Sequence, residues 1–130
     1  MSVQAMPAVL VPNTQITAIT AATAQSLYTV PSTYSNPSGS ISNATVDGVI
    51  IQEVNVVNYD TAAAHVVSVY DVPSAGSPGS ANLLCLIPVA AGRGVNPGFS
   101  TVIPVGHSLQ FIADTTSVCN VKVSGSVVIG

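Results

Sequence analysis

"SVCNVKVSGSVVIG", residues 117–130, closes the chain, and its apolar and polar residues alternate almost to the final glycine. Cys119, Val121, Val123, Val127 and Ile129 fall on one side; Asn120, Lys122, Ser124 and Ser126 fall on the other. A period of two marks a strand with one buried face. The preceding segment, SLQFIAD at 108–114, has the same period. Leu109, Phe111 and Ala113 alternate there with Ser108, Gln110 and Asp114. Two such strands joined by the short TTS turn predict a β-hairpin. So sticky a pair, in a chain with so few charges, must be kept from pairing with the wrong neighbours.

Working outward, Gly, Pro, Asn and Ser divide the rest into short apolar runs. Strands are expected at 26–30, 48–58, 65–72, 82–88, 99–104, 108–114 and 118–129. Gly106, in the turn VGH, is the residue able to take positive φ there. The one helical candidate, QITAITAATAQSLY at 15–28, is rich in Thr and has no charged pairs to support a helix. Strands at short spacing without crossover helices imply an all-β fold. The expected form is an antiparallel β-sandwich of about seven to eight strands, jelly-roll or immunoglobulin-like. Residues 26–130 make up this domain. Residues 1–25 read as an extended N-terminal arm that lies along a neighbouring molecule, with a loose end as the alternative.

Two strands break the alternation. Val49, Ile50 and Ile51 run together, and Val54, Val56 and Val57 put apolar groups at both parities. Val66, Val67, Val69 and Tyr70 do the same in the next strand. A strand apolar on both faces is central in a larger packing or covered by another subunit. One sandwich has only one inside, so Val54, Val56, Val57, Val66, Val67 and Tyr70 are expected to form an intersubunit interface.

Composition narrows the function classes. Charged residues make up 5% of the chain, against roughly 25% in ordinary soluble domains. Arg93 and Lys122 are the only cations; Asp47, Glu53, Asp60, Asp71 and Asp114 are the only anions. Two separated cations and a net charge of -3 cannot build a phosphate-binding surface, which excludes nucleic acid as a partner. The best apolar stretch, 83–91, is interrupted by Pro88 and falls short of the roughly 20 residues of a membrane-spanning helix. Without Trp and with few other aromatics, the girdles of a membrane β-barrel are lacking. No membrane association is expected. The opening MSVQAMPAVLVPNTQ has no cation and is broken by Pro7 and Pro12, unlike a secretion signal. Hydrophobic residues at 48%, many of them Val, argue for a folded chain. Cys85 and Cys119 are expected as free thiols, with pairing between two core-facing strands as the alternative.

No chemistry-bearing constellation emerges. His65 opens a strand, and His107 reads as a turn residue facing water; VGHSLQ lacks the Gly-x-Ser-x-Gly elbow of a serine nucleophile. Asp47, Asp60, Asp71 and Asp114 each sit at an expected strand end, where Asp caps turns. They do not cluster as calcium ligands. GRGVNPG at 92–98 runs into Pro97 and a strand rather than a helix, so it is not a phosphate cradle; Arg93 is a candidate donor across a subunit boundary. Asn43 opens a chance glycosylation triplet. Tyr28, Tyr34, Tyr59 and Tyr70 are too scattered for a sugar-stacking platform. No enzymatic activity, metal or cofactor is expected.

The order LYTVP, VIIQEVNVVN, HVVSVYDVP, IPVGHSLQFIAD and VKVSGSVVIG resembles the small β-sandwich virion proteins of tailed bacteriophages. The resemblance spans 27–130. It implies a non-enzymatic structural role in the virion, most simply as a capsid cement or decoration subunit. Such a subunit works as a homo-oligomer, a trimer being favoured, against the major capsid protein or another virion protein. A neck or tail adaptor, a fibre base, and a host-receptor or carbohydrate-binding module are the alternatives.

Overall fold

A computed structural model describes residues 6–18, 24–35, 37–98 and 100–129. Ten strands are present among them: β1 (Met6–Ala18), β2 (Gln25–Thr29), β3 (Thr33–Tyr34), β4 (Ala44–Asn58), β5 (His65–Val72), β6 (Leu83–Val89), β7 (Gly94–Val95), β8 (Thr101–Pro104), β9 (Ser108–Ala113) and β10 (Cys119–Ile129). All pair antiparallel. The all-β reading holds. The seven expected strands correspond to β2, β4, β5, β6, β8, β9 and β10, and the structure adds β1, β3 and β7.

One sheet runs β1-β10-β4. Along its free edge, the long β4 is met in succession by β3 at Ala44–Thr45, β8 at Gly48–Ile51 and β7 at Val56–Val57. The second sheet runs β2-β9-β5-β6. A single apolar cluster draws on both sheets. Val49, Ile51, Val54, Val56, Ile103, Val121 and Val127 come from the first, and Val67, Val69, Ile87, Leu109 and Phe111 from the second.

This arrangement corrects the expected hairpin. β9 pairs with β2 and β5, whereas β10 pairs with β1 and β4, so the 114–118 connection arches from one sheet to the other. The inward faces were read correctly: Leu109, Phe111, Ala113, Cys119, Val121, Val123, Val127 and Ile129 are all buried. Alternation shows that each strand has a buried face; facing strands meet that condition as well as paired ones do.

The closing strand is protected from both sides within its own chain. β10 lies between β1 and β4 and offers neither edge to a stray strand. Residues 6–18 of the expected arm are extended as β1 and hydrogen-bonded to β10 of the same chain. The remainder of 1–23 lies outside the described residues.

β4 explains the apparent two-faced strand. Opposite β10, Ser124 pairs with Glu53 and Gly125 with Ile51, leaving Gln52 unpaired; Val128 pairs with Gly48 and Ile129 with Val46, leaving Asp47 unpaired. Each such bulge adds one residue and reverses which parity faces inward. The inward set therefore runs Val46, then Val49 and Ile51, then Val54, Val56 and Asn58. What reads in sequence as two apolar faces is largely one face interrupted twice. Asp47 accordingly lies inside β4, which begins at Ala44, not at a strand end.

Gly125 is required at one of these bulges. A Cβ there would overlap the carbonyl oxygen of Ile50, with the Ile51 Cα also close behind. Gly125→Ala is expected to destabilise the fold by about 1–3 kcal/mol, the usual cost of forcing extra atoms into a packed site. Urea unfolding monitored by circular dichroism measures it, and an unchanged midpoint would contradict the bulge geometry.

The thiols are free, Cys119 buried on β10 and Cys85 half-buried on β6. Burial, followed by the nearby Asp114 and Asp60 carboxylates, pushes the Cys119 thiol above its ordinary value. An aromatic disulfide reagent at neutral pH is expected to label one thiol per chain quickly, at Cys85, and the second only on unfolding.

Candidate functional site

The polar chemistry of the chain collects at the two ends of the β5–β9 ladder. HVVSVYD (65–71) makes up all of β5 but its last residue, and β9 lies in HSLQFIAD (107–114). Each segment opens on His and closes on Asp. Antiparallel pairing, with Val67 opposite Ala113 and Asp71 opposite Leu109, brings each histidine to the other segment's aspartate.

At one end, His107 Nδ1 lies 2.7 Å from Asp71 Oδ1, both side chains being partly exposed. Around them the 104–107 turn is tied to Val30. Val30 N donates to His107 O, and Gly106 N, with φ +84, donates to Val30 O. His107 is partly exposed at this turn, as expected, and its ring is in addition bonded to Asp71. A His–Asp contact is half of a nucleophilic triad, but the neighbouring Ser108 hydroxyl accepts instead from Gln110 Nε2 at 2.8 Å.

At the other end the arrangement is denser. His65 is 7% exposed. Its Nε2 lies 2.8 Å from Asp60 Oδ2, and its Nδ1 lies 2.8 Å from Asp114 Oδ1. Both carboxylates carry a second anchor: Ala62 N donates to Asp60 Oδ1, and Val66 N donates to Asp114 Oδ2. Carboxylates accept only, so satisfying both requires a proton on each ring nitrogen. The hydrogen bond to Asp60, reinforced by that to Asp114, raises the imidazole above its ordinary 6.5 despite its burial. In turn, His65 and the Ala62 amide hold the Asp60 carboxyl below its ordinary 3.8.

Beneath this cluster, Asn58 is completely buried. Its Nδ2 donates to the carbonyls of Ala63, Val89 and Ala90, and its Oδ1 accepts from Asp60 N. Tyr59 N donates to Val118 O, Gly92 N to Asp60 O, and Asn58 N to Arg93 O. Three connections, 59–64, 90–93 and 114–118, are thereby bound into one end of the fold. Asn58 sits at an apolar-run terminus and carries no sequence signal of this role. Among the described residues no buried side-chain nitrogen or oxygen lacks a partner.

The six expected interface residues separate by face. Val54, Val56 and Val67 are completely buried in the chain's own core and are not available to a partner. Bulge-shifted parity in β4 and simple alternation in β5 put them there. Val57 and Val66 are exposed, and Tyr70, half-buried, shares the outward face of β5 with Val66. Other outward apolar residues lie outside these six. Ile50 and Val102 are exposed cross-strand neighbours on the first sheet, and Leu84 and Leu86 are exposed on β6 of the second. Val102 at 60% and Leu86 at 58% are the most exposed. Tyr28 and Tyr34 pack against the core, and burial, with Tyr34 nearby, raises the Tyr28 phenol.

Among the described residues, no group of His, Cys, Asp and Glu has the geometry to hold a metal, and no helix is long and apolar enough to cross a membrane. Comparison with models of protein families, with characterised proteins and with solved structures finds no match to this chain.

Removing the Asn58 carboxamide strands the carbonyls it serves. Asn58→Ala is expected to cost about 2 kcal/mol, within the range for orphaned buried polar groups. Chemical denaturation reads this loss, and a change within error would remove Asn58 from its central place in the network.

Proposed function

We propose that the chain is a structural subunit of a tailed-bacteriophage virion, a capsid cement or decoration protein that acts by adding contact area between neighbouring subunits. In this reading its two sheets are those of a jelly-roll or immunoglobulin-like β-sandwich. Its partners are further copies of itself, with a trimer favoured, and the major capsid protein or another virion protein. The supporting observation is the dry exterior of a nearly uncharged fold. Ile50, Val57 and Val102 stand outward on one sheet, and Val66, Leu84 and Leu86 stand outward on the other. Permanent interfaces are larger and more apolar than transient ones. Burying such residues contributes about 25 cal/mol per Å² before association costs are met.

The reading is tested by sedimentation of the purified chain and of the double variant Val57→Lys, Leu86→Lys. Both positions are exposed, so the variant is expected to keep the wild-type circular dichroism. Wild type is expected to sediment as an oligomer and the variant as smaller species. A wild-type chain that remains monomeric at high concentration, or is absent from purified particles, would overturn the assignment.

A further inference from the structure

His65 is held from two sides, by Asp60 of the 59–64 connection and by Asp114 at the end of β9, whose following connection also meets 59–64 through the backbone bond from Tyr59 N to Val118 O. The elements around it contribute few other ionisable groups. β10 contributes the Cys119 thiol, close enough to both carboxylates to feel their charge. The end of β4 contributes the uncharged Asn58, and the 90–93 turn contributes the Arg93 backbone carbonyl to that asparagine. β6 places Val89 opposite His65.

A neutral imidazole has one N–H and one lone pair. It can donate to one carboxylate but must turn a lone pair on the other at hydrogen-bond distance. The imidazole is nearly buried, but the Asp60 and Asp114 side chains are 29% and 44% exposed, so when the proton is lost one carboxylate can leave the ring for water and that contact opens. Asp60 and Asp114 are each bound to a backbone amide, and the Asp60 carbonyl also accepts from Gly92 N. Displacing either carboxylate therefore disturbs the connections as well as a side chain.

We propose that this end of the fold is a proton-operated latch: imidazolium at His65 clamps the 59–64 and 114–118 connections together, and its deprotonation releases them. The sign follows from linkage. With the histidine raised when folded, the clamp contributes fully below the unfolded value near 6.5 and is lost as pH rises through the higher folded value. With Asp60 lowered when folded, its contribution is present above 3.8 and is lost as pH falls through the folded value. The latch is closed between these limits and opens on the alkaline side. This differs from the usual histidine switch, which is thrown by acid.

The test combines the ¹⁵N chemical shifts of the His65 ring with hydrogen-exchange protection of the Tyr59, Ala62, Val66 and Gly92 amides, across pH. The Val30 and Gly106 amides at the opposite end serve as the control. As the His65 ring loses its proton, protection of the four latch amides is expected to fall, by about tenfold for each unit separating folded and unfolded values, while the control pair holds. In Asp114→Asn the amide can donate to a neutral ring. The His65 titration and the loss of protection should therefore move together to lower pH. Unchanged latch protection through the wild-type titration, a His65 midpoint at or below 6.5, or opening that stays put in Asp114→Asn would each overturn the proposal.

Discussion

The ladder between β4 and β10 is the constraint on which the rest of the structure depends. β10 carries no extra residue in this ladder, while β4 gains an unpaired residue at Asp47 and another at Gln52. These bulges keep Val46, Val49, Ile51, Val54 and Val56 on one face against β10's own inward row. Gly125 lets the two backbones approach where one bulge forms. With β10 covered by β1 and the far edge of β4 occupied by β3, β8 and β7, the first sheet has a long central pair bordered by shorter or outer segments. That order suits a chain with one lysine and one glutamate, residues that usually guard strand edges.

Asp47, Glu53 and Lys122 lie on β4 and β10 of the first sheet, and the second sheet gathers a larger group of ionisable residues. Both histidines and three of the four aspartates, Asp60, Asp71 and Asp114, meet at the two ends of the β5–β9 ladder. A one-residue slip of that ladder would turn its apolar row outward and separate both histidines from their partners. The same contacts therefore oppose misregistration. The His65 end does more, because Asn58 extends the clamp to the carbonyls of Ala63, Val89 and Ala90. Partial burial keeps that network from being dissipated by solvent, and it makes a proton on His65 a structural component.

The outside of the fold has the opposite character. Apolar residues stand on the outer faces of both sheets, and the ion pairs among the described residues are all His–Asp contacts at the strand ends. A shallow apolar groove on the first sheet, lined by Asn55, Val57, Asn120, Val121 and Lys122, continues this surface. A proposed role in a symmetric assembly makes use of such faces, since contact area there replaces the solvation that charges would supply.

Alternation and turn residues alone determined the all-β class, seven of the strands and the inward rows of β9 and β10, because period-two burial and Gly/Pro/Asn punctuation are local properties. The free state of the thiols was also legible. The partner of each strand was not: facing across a core and pairing within a sheet impose the same alternation, so the expected β9–β10 hairpin became an arch. Nor was the inward assignment of Val54 and Val56, since a bulge is defined by the opposing strand and leaves only a broken period in its own. The His65 cluster needed the register of β5 against β9 to bring position 114 to position 65, although the His-first, Asp-last order of both 65–71 and 107–114 was its trace in the sequence. Local chemistry chose the elements; only the closed tertiary structure decided which of them touch, because hydrogen bonding across strands joins residues that the chain itself holds far apart.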